Sequence, residues 1–184
     1  MKKIFLTLMV MVAAVAANAQ VWVGGSLGFW SNGDAEGTDT KTALSIMPEV
    51  GYDLSEDWSI AIGLGYTLAK PDKGEDASAF AVNPYARYNV IKTGAFKFFL
   101  DGGFGIGSYD FGGDDTYTAW SIGIKPGVAY SLNENCSLVA HVGFLGYQAA
   151  DDKISSEAWQ ELGIQKGFGF AFDNNISFGV YYAF

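Results

Sequence analysis

The chain has 184 residues and a formal net charge of −9, with 49% hydrophobic residues, 16% aromatic residues and 24 glycines. This acidity argues against a nucleic-acid-binding protein, which needs a basic surface. The single cysteine, Cys136, excludes an intrachain disulfide, and the single histidine, His141, excludes a Cys/His zinc centre. No stretch stays apolar over the ~18 residues that a membrane-spanning helix needs.

The N-terminus has the pattern of a secretory signal peptide. Lys2 and Lys3 precede a nearly continuous apolar run, residues 4–17, and Ala17-Asn18-Ala19 stands before Gln20. A basic start, a short apolar core and an A-x-A site are the three parts of such a signal. The alternative, a buried helix, fits these flanks poorly. We therefore predict a signal peptide at residues 1–19 and a single mature domain at residues 20–184.

Beyond Gln20, bulky apolar residues alternate with small or polar residues at a period of two, which indicates β-strands. The alternation is clearest from Phe168 to Phe184, where one face is largely aromatic. Eight strands are predicted, at residues 21–30, 42–53, 58–68, 80–90, 96–109, 119–132, 136–147 and 168–184. Long polar loops between them alternate with short turns at residues 54–57, 91–94 and 133–135.

The two strand faces differ in a way that favours an inverted barrel. A soluble barrel would point its bulky face inward, whereas a transmembrane barrel points that face toward lipid and fills its lumen with small or polar residues. Abundant glycine and aromatic residues, together with alternating long loops and short turns, match the transmembrane form. The predicted fold is therefore all-β: an eight-stranded antiparallel transmembrane β-barrel with short periplasmic turns and longer extracellular loops.

A P-x-x-x-Y repeat occurs on three even-numbered strands, each time just before a short turn. Its copies are Pro48 with Tyr52, Pro84 with Tyr88, and Pro126 with Tyr130. Proline cannot donate to a β-ladder, so each proline is expected at a bulge or local break. Each tyrosine is expected in the aromatic girdle at the periplasmic membrane interface. Chance recurrence in a β-rich sequence is the alternative, which three matching positions disfavour.

The chain resembles the small outer-membrane β-barrel domain family, the OmpA- and OmpX-like "porin family" proteins of Gram-negative bacteria, in a form typical of Bacteroidota. The signal peptide, the three P-x-x-x-Y strands, the run from Asp101 to Gly105 and the end from Ile176 to Phe184 carry the resemblance. It covers the whole mature chain and implies a location in the cell outer membrane. It also implies an assembly signal at Phe178, Tyr182 and Phe184 for the barrel-assembly machinery. These residues could equally face lipid without any further role.

Five ionisable residues are predicted to face the lumen at similar heights: Glu49, Arg87, Asp101, Lys125 and His141. Eight strands leave an interior just wide enough for side chains to fill. Because unpaired charges there are costly, we expect an ion-pair belt that plugs the barrel. The alternative is a narrow pore for ions or small solutes, in which these pairs exchange partners.

Other functions have weaker sequence support. A lipid-modifying enzyme of the outer membrane would use a histidine near the outer leaflet, but His141 lies mid-strand, and no nucleophile–base spacing indicates a triad. No catalytic, cofactor-binding or metal site is therefore predicted, and the protein is expected not to be an enzyme.

The long loops are acidic, and they could bind calcium or form a solvated surface. Their carboxylates are Asp34, Glu36, Asp39, Asp72, Glu75, Asp76, Asp110, Asp114, Asp115, Asp151, Asp152, Glu157 and Glu161. Residues 155–162 could form a short helix in the longest loop. The expected role is structural or interactive, with outer-membrane lipid and the barrel-assembly machinery as partners, an unidentified surface partner, and a monomeric state.

Overall fold

The strands run over most of the chain described by the computed structural model, which covers residues 20–33, 40–70, 77–110, 116–150, 167–171 and 177–184. The predicted signal peptide, the predicted helix at residues 155–162 and nearly all the acidic loop residues lie outside these ranges. The ten strand segments are β1 (Val21–Gly33), β2 (Thr40–Asp53), β3 (Trp58–Lys70), β4 (Ala77–Thr93), β5 (Phe96–Asp110), β6 (Thr116–Ser131), β7 (Cys136–His141), β8 (Phe144–Ala150), β9 (Gly167–Ala171) and β10 (Ser177–Ala183).

These segments form one closed antiparallel barrel of eight strands. Strands β1 to β6 each pair with the next strand in the chain, and β10 returns to pair with β1. Strand β6 pairs with both β7 and β8, so these two segments together make the seventh strand. Strands β9 and β10 pair with β8 and β7, and they make the eighth. The predicted strand number and antiparallel closure are confirmed.

The outward face of the barrel is apolar. On β3, Ile60 is 48% exposed whereas its neighbour Ser59, which points into the lumen, is 4% exposed. The same alternation holds along β2, β4, β5 and β6, where isoleucine, leucine and aromatic side chains point outward. The inward positions carry mostly glycine, alanine, serine or a few charged residues. A period of two therefore separates a lipid-compatible surface from a small or polar lumen. Among the described residues, no helix is long and apolar enough to cross a membrane.

Each proline of the repeat interrupts the β-ladder on the same side of its strand. Pro48 pairs with Gly25 of β1, but the β2–β3 pairing omits it. Pro84 pairs with β3 and is likewise missing from the β4–β5 pairing. Pro126 pairs with β5 and lies opposite the division between β7 and β8. Since proline has no N–H to donate, the ladder with the following strand breaks at all three positions.

The seventh strand differs from the continuous strand predicted at residues 136–147. Ile124 pairs with Leu145 and Gly127 pairs with His141, so one more residue lies between the pairs on the seventh strand than on β6. This bulge contains Gly143, whose φ of 77° is accessible mainly to glycine. The extra residue moves the lumen face from odd-numbered residues, such as His141, to even-numbered ones, such as Phe144.

The short turns are held together by hydrogen bonds and an ion pair. The side-chain oxygen of Ser55 accepts from the backbone N–H of Trp58 at 3.1 Å, and Asn133 Oδ1 accepts from that of Cys136 at 2.7 Å. Lys92 Nζ lies 2.7 Å from Asp57 Oδ1, which links two neighbouring turns. This hydrogen bond raises the pKa of the exposed Lys92 ammonium.

The lumen should be less tolerant of added volume than the outer surface. A Cβ at Gly127 would lie 2.3 Å from Cζ of buried Phe99, whereas a Cβ at Gly102 would meet nothing within 4 Å. We expect Gly127→Ala to lower the free energy of unfolding by about 1–3 kcal/mol, because overpacking forces neighbouring side chains out of place. The matched variant Gly102→Ala should change it little. Urea unfolding in lipid bilayers measures both, and equal losses would contradict the packed lumen.

Candidate functional site

An arginine–carboxylate pair lies at the centre of the lumen. Arg87 on β4 and Asp101 on β5 are opposite each other in the ladder, and both are buried. Arg87 Nε donates to Asp101 Oδ1 at 2.7 Å, and a terminal guanidinium nitrogen donates to Oδ2 at 2.7 Å. This bidentate geometry matches the planar donor pair of arginine to both oxygens of the carboxylate.

His141 on β7 joins the same carboxylate from the other side of the lumen. Its Nε2 lies 2.8 Å from Asp101 Oδ2 and 3.4 Å from a guanidinium nitrogen of Arg87. Because an ionised carboxylate can only accept, Nε2 must carry the proton in the contact with Asp101. Asp101 therefore joins strands that are far apart in the chain, and its charge is shared among three nitrogen donors, two from Arg87 and one from His141.

Four aromatic rings surround the guanidinium. The Arg87 Cζ atom lies 3.9 Å from the ring centre of Phe99, 5.1 Å from Tyr181 and 5.4 Å from Trp22. The fourth ring, Tyr85, lies at 5.6 Å. Trp22 and Tyr181 also stack on each other with centroids 4.7 Å apart. The faces of these rings attract the cation and replace water around it.

Glu49 on β2 completes the group, which we call the Arg87 cluster: Arg87, Asp101, His141, Glu49, Trp22, Tyr85, Phe99 and Tyr181. Glu49 Oε2 accepts hydrogen bonds from the hydroxyls of Tyr181, at 2.9 Å, and Tyr85. Its Oε1 is buried and has no hydrogen-bond partner among the described residues. Glu49 thus contacts the cluster through tyrosine hydroxyls, whereas the sequence led us to expect a direct ion pair.

Lys125 departs further from the expected belt. It lies opposite Asp101 in the β5–β6 ladder, and the carboxylates of Asp101 and Glu49 attract its ammonium electrostatically. Among the ion pairs of the described residues, however, Asp101 is joined to Arg87 and His141, and none includes Lys125. Its side chain also remains accessible to water. Lys125 therefore stands apart from the pairs around Asp101, because the bidentate arginine and the histidine already occupy the carboxylate.

The half of the lumen nearer the long loops is less densely filled. A cavity there is lined by small or polar side chains, among them Asn83, Ser121 and Gln148. Gly105 lies between Asn83 and Ser121, whose side-chain oxygens approach the place that a Cβ would occupy. Within the described residues, no group of three potential ligand side chains is placed to hold a metal ion. The Arg87 cluster therefore fills the short-turn half, and the other half stays more open.

A family model described as "Outer membrane protein beta-barrel domain" matches residues 4–184. The chain belongs to this family. It is an integral protein of the outer membrane, and its outward apolar face is its lipid-facing surface.

A solved structure shows the same fold. Neisserial surface protein A is 19% identical, with a TM-score of 0.55, and the match covers 91% of this chain and 98% of that chain. A more distant match, a major outer membrane protein from Thermus thermophilus, is 16% identical, with a TM-score of 0.40 and coverage of 90% and 98%. No curated protein matches the sequence significantly.

In this outer-membrane barrel the tyrosines of the repeat lie on the lipid-facing surface at the short-turn end. Tyr88 contacts Trp58 across the ladder with ring centroids 4.8 Å apart, and Tyr130 contacts Phe96 at 4.9 Å. The hydroxyl of Tyr52 donates to Gln20 Oε1. All three tyrosines are exposed, and they stand beside the ends of their strands.

The residues of the predicted assembly signal lie on β10 or directly after it. Phe178 is 67% exposed and Tyr182 is 46% exposed, and both point outward. Phe184 is half-buried and its ring contacts that of Tyr182 edge-on at 5.2 Å. The strand end is tied down, since the N–H of Phe184 donates to the carbonyl of Val21 at 3.1 Å.

Sequence reasoning missed the aromatic part of the cluster. Trp22, Tyr85, Phe99 and Tyr181 all lie on inward faces that are otherwise small or polar. Their positions could have been predicted, because Tyr85 is two residues from Arg87 and Phe99 is two residues from Asp101. Residues two apart on a strand point to the same face. Glycines face some of these rings: a Cβ at Gly51 would lie 2.1 Å from Trp22, and one at Gly24 would lie 2.1 Å from Tyr181. An aromatic residue on a strand face of otherwise small residues, opposite a glycine, was the sequence pattern that could have predicted these positions.

Asp101 and Lys125 should differ sharply in their contribution to stability. Removing one partner of a buried pair leaves an uncompensated charge, so Asp101→Ala should lower the free energy of unfolding by about 3–5 kcal/mol. Lys125→Ala should cost only about 1 kcal/mol, because its ammonium makes no close ion pair among the described residues. Urea titration of the refolded barrel compares the two, and a larger loss for Lys125→Ala would contradict the assignment of Asp101 as the central carboxylate.

Proposed function

We propose that this outer-membrane barrel is a structural, non-conducting protein that presents acidic loops at the cell surface and whose lumen is closed by the Arg87 cluster. One observation carries the proposal: side chains from β1, β4, β5, β7 and β10 meet around one guanidinium, and Glu49 of β2 joins them through two tyrosine hydroxyls. An eight-stranded barrel has an interior that side chains can fill completely.

The energetics of the cluster support a permanent closure. Opening a path would separate Arg87 from Asp101 in a lumen where desolvated charges are costly. It would also remove the rings of Phe99 and Tyr181 from the guanidinium, and Phe99 is 2% exposed. These contacts favour a sealed barrel, whose interactions with other molecules take place at the loops.

A narrow pore is the second candidate, and Lys125 supports it. Lys125, which lies opposite Asp101 beside the cluster, and the cavity in the long-loop half both belong to the lumen. Movement of the cluster alone could then complete a path. The two candidates differ in whether the cluster holds its arrangement under an applied voltage.

A lipid-modifying activity has less support. His141, the histidine that such an activity would use, is buried in the lumen against Asp101 and Phe99. Lipid substrates would approach from the outer surface. We propose no catalytic role for this residue, and mass spectrometry of lipids incubated with the refolded barrel should detect no hydrolysis or acyl transfer.

Single-channel conductance in planar bilayers tests the seal. The wild-type barrel should be silent, and Arg87→Ala should produce current, because the substitution removes the side chain around which Asp101, His141 and the four rings are arranged. Lys125→Ala is the matched control: it removes a lumenal cation outside the cluster and should stay silent. Heat-dependent migration on a gel verifies that each variant is folded.

Each contrary result has a definite meaning. Steady current through the wild-type barrel would establish the pore and reject the sealed barrel. A silent Arg87→Ala variant would show that other side chains close the lumen, and would remove the cluster from the proposal.

We also propose that Phe184, with Tyr182 and Phe178, is read by the barrel-assembly machinery and that the barrel inserts as a monomer. Phe184→Ala should reduce the amount of protein in the outer membrane of cells while leaving refolding in detergent unchanged. Phe168→Ala is the control, since Phe168 is an outward-facing phenylalanine of the same eighth strand but lies far from the terminus. Equal membrane levels for both variants would contradict a terminal signal.

A further inference from the structure

The cavity in the long-loop half of the lumen has no part in the proposed closure. It lies between β4, β5, β6 and β8. Asn83 in its lining stands four residues from Arg87 along β4, toward the long loops. Because a strand rises ~3.3 Å per residue, this places Asn83 roughly 13 Å from Arg87 along the strand. A ligand would enter from the long-loop end, since the Arg87 cluster fills the other half.

Two polar side chains converge over one glycine of the cavity wall. A Cβ at Gly105 would lie 2.6 Å from Asn83 Oδ1 and 2.7 Å from Ser121 Oγ. The amide nitrogen of Asn83 donates to Met47 Sδ at 3.9 Å, so the amide is held with its oxygen toward Gly105. Gln148 adds a second amide to the lining. The cavity therefore offers hydroxyl and amide groups, which both donate and accept hydrogen bonds.

The lining of the cavity disfavours both ions and apolar molecules. None of the described residues that line it is charged. An ion would lose its hydration there without meeting an opposite charge, which is costly. An apolar ligand would leave the amides and the serine hydroxyl without hydrogen-bond partners. The cavity is therefore suited to a small neutral solute that carries several hydroxyl groups.

An aromatic ring lies beside these polar groups. Tyr109 lines the cavity, and its Cε2 would lie 3.1 Å from a Cβ at Gly107. The absence of a side chain at Gly107 thus leaves room for the ring against the wall. A tyrosine presents an apolar face and a polar hydroxyl. A sugar has complementary surfaces, since the C–H groups of its ring form an apolar face and its hydroxyls project from the edge.

We propose that this cavity binds one neutral sugar unit, either free or at the end of a glycan. Its volume is about 60 Å³. Since one water needs ~10–15 Å³, the cavity has room for roughly four to six waters, enough for one small solute but not for a chain of sugars. Asn83, Ser121 and Gln148 bond the hydroxyls of the sugar, and Tyr109 packs against its ring. The site goes beyond the proposed closure and does not depend on it.

Saturation-transfer NMR of the refolded mature barrel tests the site. The detergent is lauryldimethylamine oxide, because detergents with sugar headgroups would compete. The probes are D-glucose, D-galactose and D-mannose as free sugars, maltotriose as a short glycan, and D-glucuronate as a charged analogue. The barrel should transfer saturation to a free hexose or to the terminal ring of maltotriose, and the two results distinguish the sources. No transfer to any neutral sugar, or equally strong binding of glucuronate, would overturn the proposal.

Two variants locate the binding in the cavity. Asn83→Leu and Ser121→Ala each remove a polar group and leave the Arg87 cluster intact, so each should weaken binding on the order of tenfold, as expected for one lost hydrogen bond. Ser45→Ala is the matched control, since the Ser45 hydroxyl accepts from Thr67 Oγ1 at 3.0 Å and lies outside the described lining. It should bind as the wild type does. Unchanged binding in both cavity variants, with folding verified by heat-dependent gel migration, would also overturn the proposal.

Discussion

The structure depends on keeping the charge of one buried arginine inside the barrel. Arg87 finds a bidentate carboxylate in Asp101 and four aromatic faces around its guanidinium. Neither the carboxylate nor the rings would suffice alone. The carboxylate neutralises the charge of the guanidinium, and the rings replace the water that the guanidinium loses on burial. Strands distant in sequence are drawn to the same point, so the cluster also ties the walls of the barrel together.

The cluster requires space, and the sequence supplies it through glycine. Trp22 lies against the position where Gly51 lacks a side chain, and Phe99 lies against Gly127 in the same way. Large rings and glycines therefore complement each other across the lumen. The same principle applies in the seventh strand, where the bulge turns Phe144 inward and its ring lies against Gly123 and Gly146.

The two halves of the barrel consequently differ. The short-turn half is filled by the cluster and surrounded outside by paired aromatic residues. The long-loop half holds Asn83, Ser121 and small residues around a cavity. In the proposed sealed barrel, this asymmetry places the closure of the lumen at the short-turn end and leaves the long-loop end for contacts with other molecules.

The sequence by itself determined the barrel, because the period-two alternation and the spacing of turns are local properties that each strand carries independently. It also placed Arg87, Asp101 and His141 in the lumen, since strand parity decides which face a residue takes. Only the tertiary structure decided which charged groups pair: Asp101 can satisfy Arg87 and His141 but not Lys125 as well. The bulge at Gly143 could not be predicted from the sequence either, because it arises from the register between β6 and the seventh strand. The face that a residue takes follows from the alternation along its own strand, whereas contacts across the lumen depend on the stagger of all eight strands.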